Sequence, residues 1–381
     1  MEKIKTSLII DKIPKTSKIL HDILFPDESL QNLNKSLLIY SVTWNLHGKI
    51  PSNEELKSII PLNKKYDIII ISTQECLRSI AASFLKSEKD EWVKMLNDYL
   101  NENYINLANE NLSAFHISLF VNKLIRNDFK NVITGKIKTG YLNILANKGA
   151  VAIGVKYKKL DLLFINSHLT AGHERIEKRN ADFERINKEL TFEVYDNSNE
   201  TNIDNNINNN NMNNNNNIKD IKEIKDINYN LTVSDNFDII IWSGDFNYRL
   251  NSNDINKVIS CIQNKEFDYL FDYDQFNNEI LNEKIDINGF QEGTICFPPT
   301  YKYLENENFR NYDLSEKMPG WTDRILYKSK KFTDLLLCKY DCILDTKTSD
   351  HKPVFAIFKL DIEDEIEDNL KTKKNKVCEI F

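Results

Sequence analysis

The chain has 381 residues, 41% of them hydrophobic, and a formal net charge of −7 from 50 basic and 57 acidic side chains. That is enough apolar material for a sizeable core in one large or two ordinary domains, and the dispersed Lys and Arg argue against the basic stripe of a nucleic-acid enzyme. No apolar run reaches the roughly 18 residues of a membrane-spanning helix, and the six cysteines, without zinc-like pairing or a dense framework, fit a reducing cytosol.

Residues 1–35 mix charge with short apolar stretches, lack a signal-peptide core and carry no readable role. Strands are expected over 37–45, 67–73, 115–121, 150–157, 160–168, 237–244, 324–328 and 353–360. Ile68-Ile69-Ile70-Ile71 and Ile239-Ile240-Ile241-Trp242 are unbroken apolar runs, as suits strands covered on both faces. Helices are expected over 81–100 and 172–194, the second carrying Ile176, Phe183, Ile186 and Leu190 at helical spacing. Strands alternating with helices, without a glycine-rich dinucleotide fingerprint, predict an α/β layered sandwich: two central mixed β-sheets flanked by helices. Asparagine dominates 197–217. Such a tract buries too little apolar surface to offset its ordering entropy, so 197–230 is expected to be a disordered surface insert.

Six polar clusters fall at or just after apolar runs: Thr43-Trp44-Asn45, Gln74-Glu75, Asn166-Ser167-His168, Gly244-Asp245-Phe246-Asn247-Tyr248-Arg249, Trp321-Thr322-Asp323-Arg324 and Ser349-Asp350-His351-Lys352-Pro353. Metal-assisted attack on phosphorus needs hard oxygen ligands, a carboxylate to orient water, and donors for the developing charge. Glu75, helped by Asn45, reads as a Mg²⁺ holder, with ordinary turn residues as the alternative. Asp245 reads as the carboxylate that orients water and Asn247 as a donor to a phosphate oxygen; the alternative is an Asx turn. His351 reads as a donor to the phosphoryl group with Asp323 as its carboxylate partner; an exposed loop histidine is the alternative. His168 ends its own apolar strand. No cysteine is followed six positions later by arginine, so a thiol-phosphatase loop is absent.

Taken together the clusters resemble the inositol polyphosphate 5-phosphatases, whose fold is the DNase I-like endonuclease/exonuclease/phosphatase sandwich. Phe297-Pro298-Pro299-Thr300-Tyr301-Lys302 resembles that family's F-x-P-T-Y-K element, and Met318-Pro319-Gly320-Trp321-Thr322-Asp323-Arg324-Ile325-Leu326 its P-x-W-x-D-R-I-L element. Asn147-Lys148-Gly149-Ala150-Val151-Ala152 and Arg179-Asn180-Ala181-Asp182-Phe183 also fit, and Leu169-Thr170-Ala171-Gly172-His173 is closest in wording to the synaptojanin-like branch. The resemblance implies Mg²⁺-dependent hydrolysis of an inositide 5-phosphate, most simply that of phosphatidylinositol 4,5-bisphosphate, by direct in-line attack of water. It implies Asn45 and Glu75 as metal ligands with Asp350 near the metal. Asp245 would orient the nucleophile, and Asn247, His168 and His351 would contact the scissile phosphate, with Asp323 holding His351. Tyr301, Lys302 and Lys317 would read the neighbouring 4-phosphate, and Arg324 and Arg249 would add charge or brace the site. It also implies a lipid-contacting loop at Tyr141, Leu142, Ile144 and Leu145, which reads equally as core. Ser315-Glu316-Lys317 runs directly into Met318 and Pro319, where the family has a longer basic stretch; that bears on substrate preference, not on the reaction.

The last four residues, Cys378-Glu379-Ile380-Phe381, match C-a-a-X with a geranylgeranyl-type ending, and Lys371, Lys373, Lys374 and Lys376 lie upstream. One lipid chain plus a basic patch would hold the chain at the cytosolic face of a membrane. The expected organisation is a 1–35 segment, a catalytic domain over 36–362 with its insert, and a basic tail over 363–381. Partners would be a phosphoinositide and the membrane surface, with no nucleic acid. Rival readings are a nuclease or sphingomyelinase of the same fold, and a silent membrane-binding scaffold.

Overall fold

A computed structural model describes residues 36–76, 87–140, 147–195, 233–305, 311–314, 317–330 and 333–362; the side chains of 87–90 and 234 are outside the description. Two sheets face each other. The first has six strands in the order β12-β13-β1-β2-β4-β3, from β1 (Ser36–Asn45), β2 (Ile68–Gln74), β3 (Tyr104–Leu112), β4 (Phe115–Asn122), β12 (Asp334–Cys342) and β13 (Val354–Asp361). The second has seven in the order β10-β11-β9-β7-β6-β5-β8, from β5 (Phe129–Lys138), β6 (Gly149–Tyr157), β7 (Leu160–His168), β8 (Thr191–Val194), β9 (Ile239–Asp245), β10 (Gln291–Glu292) and β11 (Asp323–Ser329). Each sheet is mixed: β1 with β2, and β7 with β9, are parallel pairs among antiparallel neighbours.

The isoleucine runs explain the layering. Successive side chains of a strand point to opposite faces. Ile68 and Ile70 therefore enter the inter-sheet core with Ile39, Ile239, Ile241 and Phe164. Ile69 and Ile71 turn outward, where α1 (Asn53–Ile59) and α2 (Ser87–Leu100) cover them with Leu56, Ile59, Trp92 and Leu96. On the other sheet Ile240 and Trp242 turn outward to Phe183 and Ile186 of α3 (Ile176–Glu189) and Phe276 of α7 (Gln275–Leu281). The Phe183 and Trp242 rings stack at 4.4 Å between centroids. Fully burying each such side chain is worth about 1.5–3 kcal/mol relative to leaving it in water. Further short helices are α4 (Val233–Asn236), α5 (Ile255–Gln263) and α6 (Phe267–Phe271).

The expected two-sheet sandwich is found, and the eight expected strands are present within two residues at each end. Of the five further strands, β3, β5, β8 and β10 have no unbroken apolar run to announce them, whereas β12 carries Leu335-Leu336-Leu337-Cys338. β3, β8, β10 and β12 lie at sheet edges, where polar residues are tolerated. The helix expected over 172–194 ends at Glu189; Thr191–Val194 pairs instead with β5, as β-branched Thr and Val favour. Residues 1–35, the asparagine insert at 197–230, the apolar stretch at 141–145, Ser315, Glu316 and the tail at 363–381 lie outside the described residues.

Candidate active site at the strand ends

Strand register brings the site together. Asn45 pairs with Gln74 across β1 and β2, and Glu75 follows at once in the left-handed region, at φ 51°. In the facing sheet Asp323 pairs with Asp245, Asp245 with His168, and His168 with Gly149, so four strands contribute one row. Side chains in one row share a face, and this row faces the first sheet. Gly244 lets β9 approach β7: its φ is 151°, and a Cβ there would lie 2.1 Å from the Ser167 carbonyl oxygen. Beneath the site buried polar bonds tie the two sheets. Gln74 Nε2 donates to Asn166 Oδ1 at 2.6 Å, and Ser243 Oγ to Ser72 Oγ at 2.7 Å.

Asn45 Nδ2 donates to Asp245 Oδ2 at 3.0 Å, and Asp245 Oδ1 accepts the Asn247 backbone N–H at 3.0 Å. His168 Nε2 lies 3.4 Å from Asp245 Oδ2 and 3.7 Å from Glu75 Oε1, and Lys148 Nζ bonds the same nitrogen. Burial pushes the Asp245 carboxyl up, but His168, His351 and Lys148 outweigh it and hold the group well below the usual range. Glu75 behaves likewise: burial raises it, and His168 and His351 bring it below its ordinary value. Burial brings the Lys148 ammonium down to about 8 despite Asp245 and Glu75.

The loop before β13 is held by Trp44 Nε1, which donates to the His351 carbonyl at 2.9 Å, and by Ser349 Oγ, which donates to the Asn45 carbonyl at 2.6 Å. Asp323 Oδ2 lies 2.9 Å from His351 Nδ1 and accepts from the hydroxyls of Thr300 at 2.7 Å and Thr322 at 2.8 Å. A carboxylate at Nδ1 places a proton there and turns Nε2 toward the site. Burial opposes charge on His351, but Asp323 and then Asp245 and Asp350 push it up to about 10.

Beside this centre lies an aromatic and cationic shelf. The Tyr301 ring sits 4.3 Å from the His351 ring, with the Arg249 guanidinium 4.3 Å over its face. Lys317 Nζ donates to Tyr301 Oη at 3.1 Å, and Lys302 pairs with Asp313 at 2.7 Å. Arg249 Nη2 donates to Asn247 Oδ1 at 2.6 Å, while Nη1 is buried without a hydrogen-bond partner. Asn247 Nδ2 donates to the Leu169 carbonyl at 3.1 Å.

The geometry thus gathers Asn45, Glu75, His168, Asp245, Asn247, Asp323, Asp350 and His351, with Arg249, Tyr301, Lys302 and Lys317 on the shelf. Arg324, grouped with the substrate-binding residues as one that would add charge or brace the site, is a brace: it is 1% exposed and locked to Asp274 at 3.0 Å and Glu292 at 2.5 Å. The reason is strand alternation: Asp323 faces the site, so Arg324 points to the opposite side of β11. Lys148, Thr300 and Thr322 stand inside motifs read from sequence but without a role there. His47 and Glu305, which flank Asp350, carried no sequence signal.

The donors suit a hard divalent cation. Asp350 Oδ1 is buried with no hydrogen-bond partner; His47 Nδ1 lies 3.3 Å from it and 4.0 Å from Glu75 Oε2, and the His47 N–H donates to the Asn45 amide oxygen. Oxygen donors of this kind take Mg²⁺ or Ca²⁺.

Comparison with known proteins supplies the decisive observation. Residues 42–357 match the model of the Endonuclease/Exonuclease/phosphatase family 2. The chain belongs to that family. It is 31% identical over 87% of its length to the phosphatidylinositol 4,5-bisphosphate 5-phosphatase INP51 of Saccharomyces cerevisiae, and 28% identical over 93% to the type II inositol 1,4,5-trisphosphate 5-phosphatase of Mus musculus. It spans about a third of those proteins, 32% and 33% of their lengths. Among solved structures, the inositol polyphosphate 5-phosphatase domain of SpSynaptojanin, in complex with inositol (1,4)-bisphosphate and calcium, superposes with a TM-score of 0.69 at 27% identity, covering 91% of this chain and 93% of that one. The resemblance read from the motifs is borne out by these relatives. A Cimex nitrophorin superposes at TM-score 0.61 and 21% identity, over 86% of this chain and 99% of that one, and shares the fold alone.

Proposed function

We propose that this chain hydrolyses the 5-phosphate of phosphoinositides, with phosphatidylinositol 4,5-bisphosphate as the main substrate and Mg²⁺ as cofactor. One observation carries the reading: the Asp245–His168–His351–Asp323 cluster stands directly beside the Arg249–Tyr301–Lys317 shelf. A vicinal bisphosphate needs that adjacency, with one phosphate at the reacting centre and its neighbour held by cations and a hydroxyl.

Asn45, Glu75 and Asp350 would hold the Mg²⁺, which when bound polarises a phosphoryl oxygen as a Lewis acid. Asp245, kept ionised by its cationic neighbours, accepts a hydrogen bond from the attacking water and aims it in line. His351, kept charged by Asp323, offers Nε2–H to the phosphoryl group as charge develops. Asn247, fixed through Arg249 and Leu169, presents its second amide hydrogen, and His168 flanks the phosphate from β7. The unpartnered Arg249 Nη1 is ready to meet an anion.

The test is phosphate release from a panel of inositides, soluble inositol phosphates and DNA. Turnover is expected on the 4,5-bisphosphate with Mg²⁺, to vanish with EDTA, and to fall on the order of a hundredfold or more in Glu75→Ala. Equal turnover by Glu75→Ala, or cleavage of DNA alone, would refute the proposal.

We also propose prenylation at Cys378, with the chain peripheral on the cytosolic face of membranes; this holds if Phe381 is the terminal residue. The basic run upstream supports it. Cys378→Ser is expected to move the protein from the membrane pellet to the soluble fraction. An unchanged distribution would remove the anchor.

A further inference from the structure

The segment that carries Tyr301 and Lys302 is pinned on both sides to the catalytic pair. Thr300, Thr322 and Asp323 are all fully buried, at 0% exposure. The Thr300 and Thr322 hydroxyls and His351 Nδ1 converge on one oxygen, Asp323 Oδ2, at 2.7, 2.8 and 2.9 Å. The two hydroxyls come from different places. Thr322 precedes Asp323 in the chain, whereas Thr300 reaches it from 23 residues away and is followed at once by Tyr301 and Lys302. The backbone fixes this segment. The Thr300 carbonyl accepts from the Lys352 N–H at 2.9 Å, Tyr301 exchanges both backbone bonds with Gly320 at 3.2 and 2.8 Å, and the Tyr303 N–H donates to the Asp350 carbonyl at 2.8 Å. Burial pushes the Asp323 carboxyl up and His351 opposes it; Asp245 adds to the rise, and the Thr300 hydroxyl works against it.

We propose that Thr300 is a positioning residue that couples the neighbouring-phosphate shelf to the catalytic pair: its hydroxyl fixes the Asp323 carboxylate, and hence the His351 ring, in step with Tyr301 and Lys302. A carboxylate in a dry interior has no water to orient it, so the donors around it set its direction. An anion bound by Tyr301 and Lys302 pins the run from Thr300 to Lys302, and through it Asp323 and His351. A substrate with two adjacent phosphates therefore meets a better aligned His351 than one carrying the 5-phosphate alone, and alignment of that kind acts on the rate of the chemical step. The inference rests on the phosphatase reading of the Asp323–His351 pair.

Thr300→Val, Thr300→Ser and Thr322→Val are made in the full chain, and circular dichroism checks each fold; Thr300→Ala replaces the valine variant if that one does not fold. Phosphate release with Mg²⁺ is measured on phosphatidylinositol 4,5-bisphosphate and on phosphatidylinositol 5-phosphate. Thr300→Val is expected to lower kcat on the bisphosphate about 10–100-fold, the worth of one hydrogen bond to a charged group, with KM unchanged and a smaller loss on the monophosphate. Serine, which keeps the hydroxyl, should restore kcat. Thr322→Val, outside the shelf segment, should cost the same factor on both substrates. Wild-type kcat for Thr300→Val, an equal loss on both substrates, or no rescue by serine overturns the proposal. Proton NMR of the His351 Nδ1–H reads the same contact without turnover: its resonance should move in Thr300→Val and return in Thr300→Ser. If the wild type releases no phosphate yet the resonance moves in this way, the phosphatase reading falls alone; a resonance that stays in place overturns the positioning role.

Discussion

Asp245→Ala is expected to lower kcat by about 10²–10⁴-fold, the usual worth of a positioned proton acceptor, while the fold survives. His351→Ala should cost a similar factor. Asp245 is 1% exposed at a strand end, where its carboxylate joins Asn45, the Asn247 backbone and His168. Removing it takes away the carboxylate proposed to orient the water and leaves the strand ladder intact. The informative companion is Asp245→Asn, which has nearly the same size but lacks the charge. If it loses turnover as the alanine does, charge rather than packing is the cause. Near wild-type rates for Asp245→Ala and His351→Ala, measured on purified folded protein by phosphate release, would refute both roles.

Arg324→Met is expected to destabilise the chain by about 3–5 kcal/mol, the cost of stranding buried carboxylates without their cation. Arg324 donates to Glu292 through Nε at 2.6 Å and to Asp274 through Nη1 at 3.0 Å, and Asp274 is itself fully buried while capping α7 through the Asn277 N–H. Equilibrium unfolding in urea reads the loss. KM measured on the folded fraction separates a brace from a substrate contact: it should stay unchanged. A stability within experimental error of wild type, or a KM raised tenfold, would return Arg324 to the substrate site.

Arg324 also shows where reading from sequence stopped. The Trp321-Thr322-Asp323-Arg324 cluster reads from sequence as one unit, but two adjacent residues on a strand cannot face the same way. The period of two assigns only Asp323 to the site. The central strands were legible because unbroken apolar runs require cover on both faces, and these strands carry Asn45, Glu75, His168 and Asp245 at or just past their ends. Polar β3 was not legible, because an edge strand is defined by a neighbour rather than by its own composition; β12, with its Leu335-Leu336-Leu337-Cys338 run, did carry a strand signal. His47 was silent for a related reason: a single loop histidine acquires meaning only when Glu305, more than two hundred residues away, folds beside it.

The pairing of Ser36 with Asp361 has a practical outcome. β1 carries Asn45 at one end and Ser36 at the other, ten residues along a strand, or about 30 Å. Ser36 and Asp361, the two ends of the described sandwich, therefore sit together on its rear, away from the candidate site. Such a unit can be spliced into a larger polypeptide, tagged on either side, or circularly permuted through a short joint, with the opening left clear. That arrangement suits a module whose relatives carry it inside proteins three times as long.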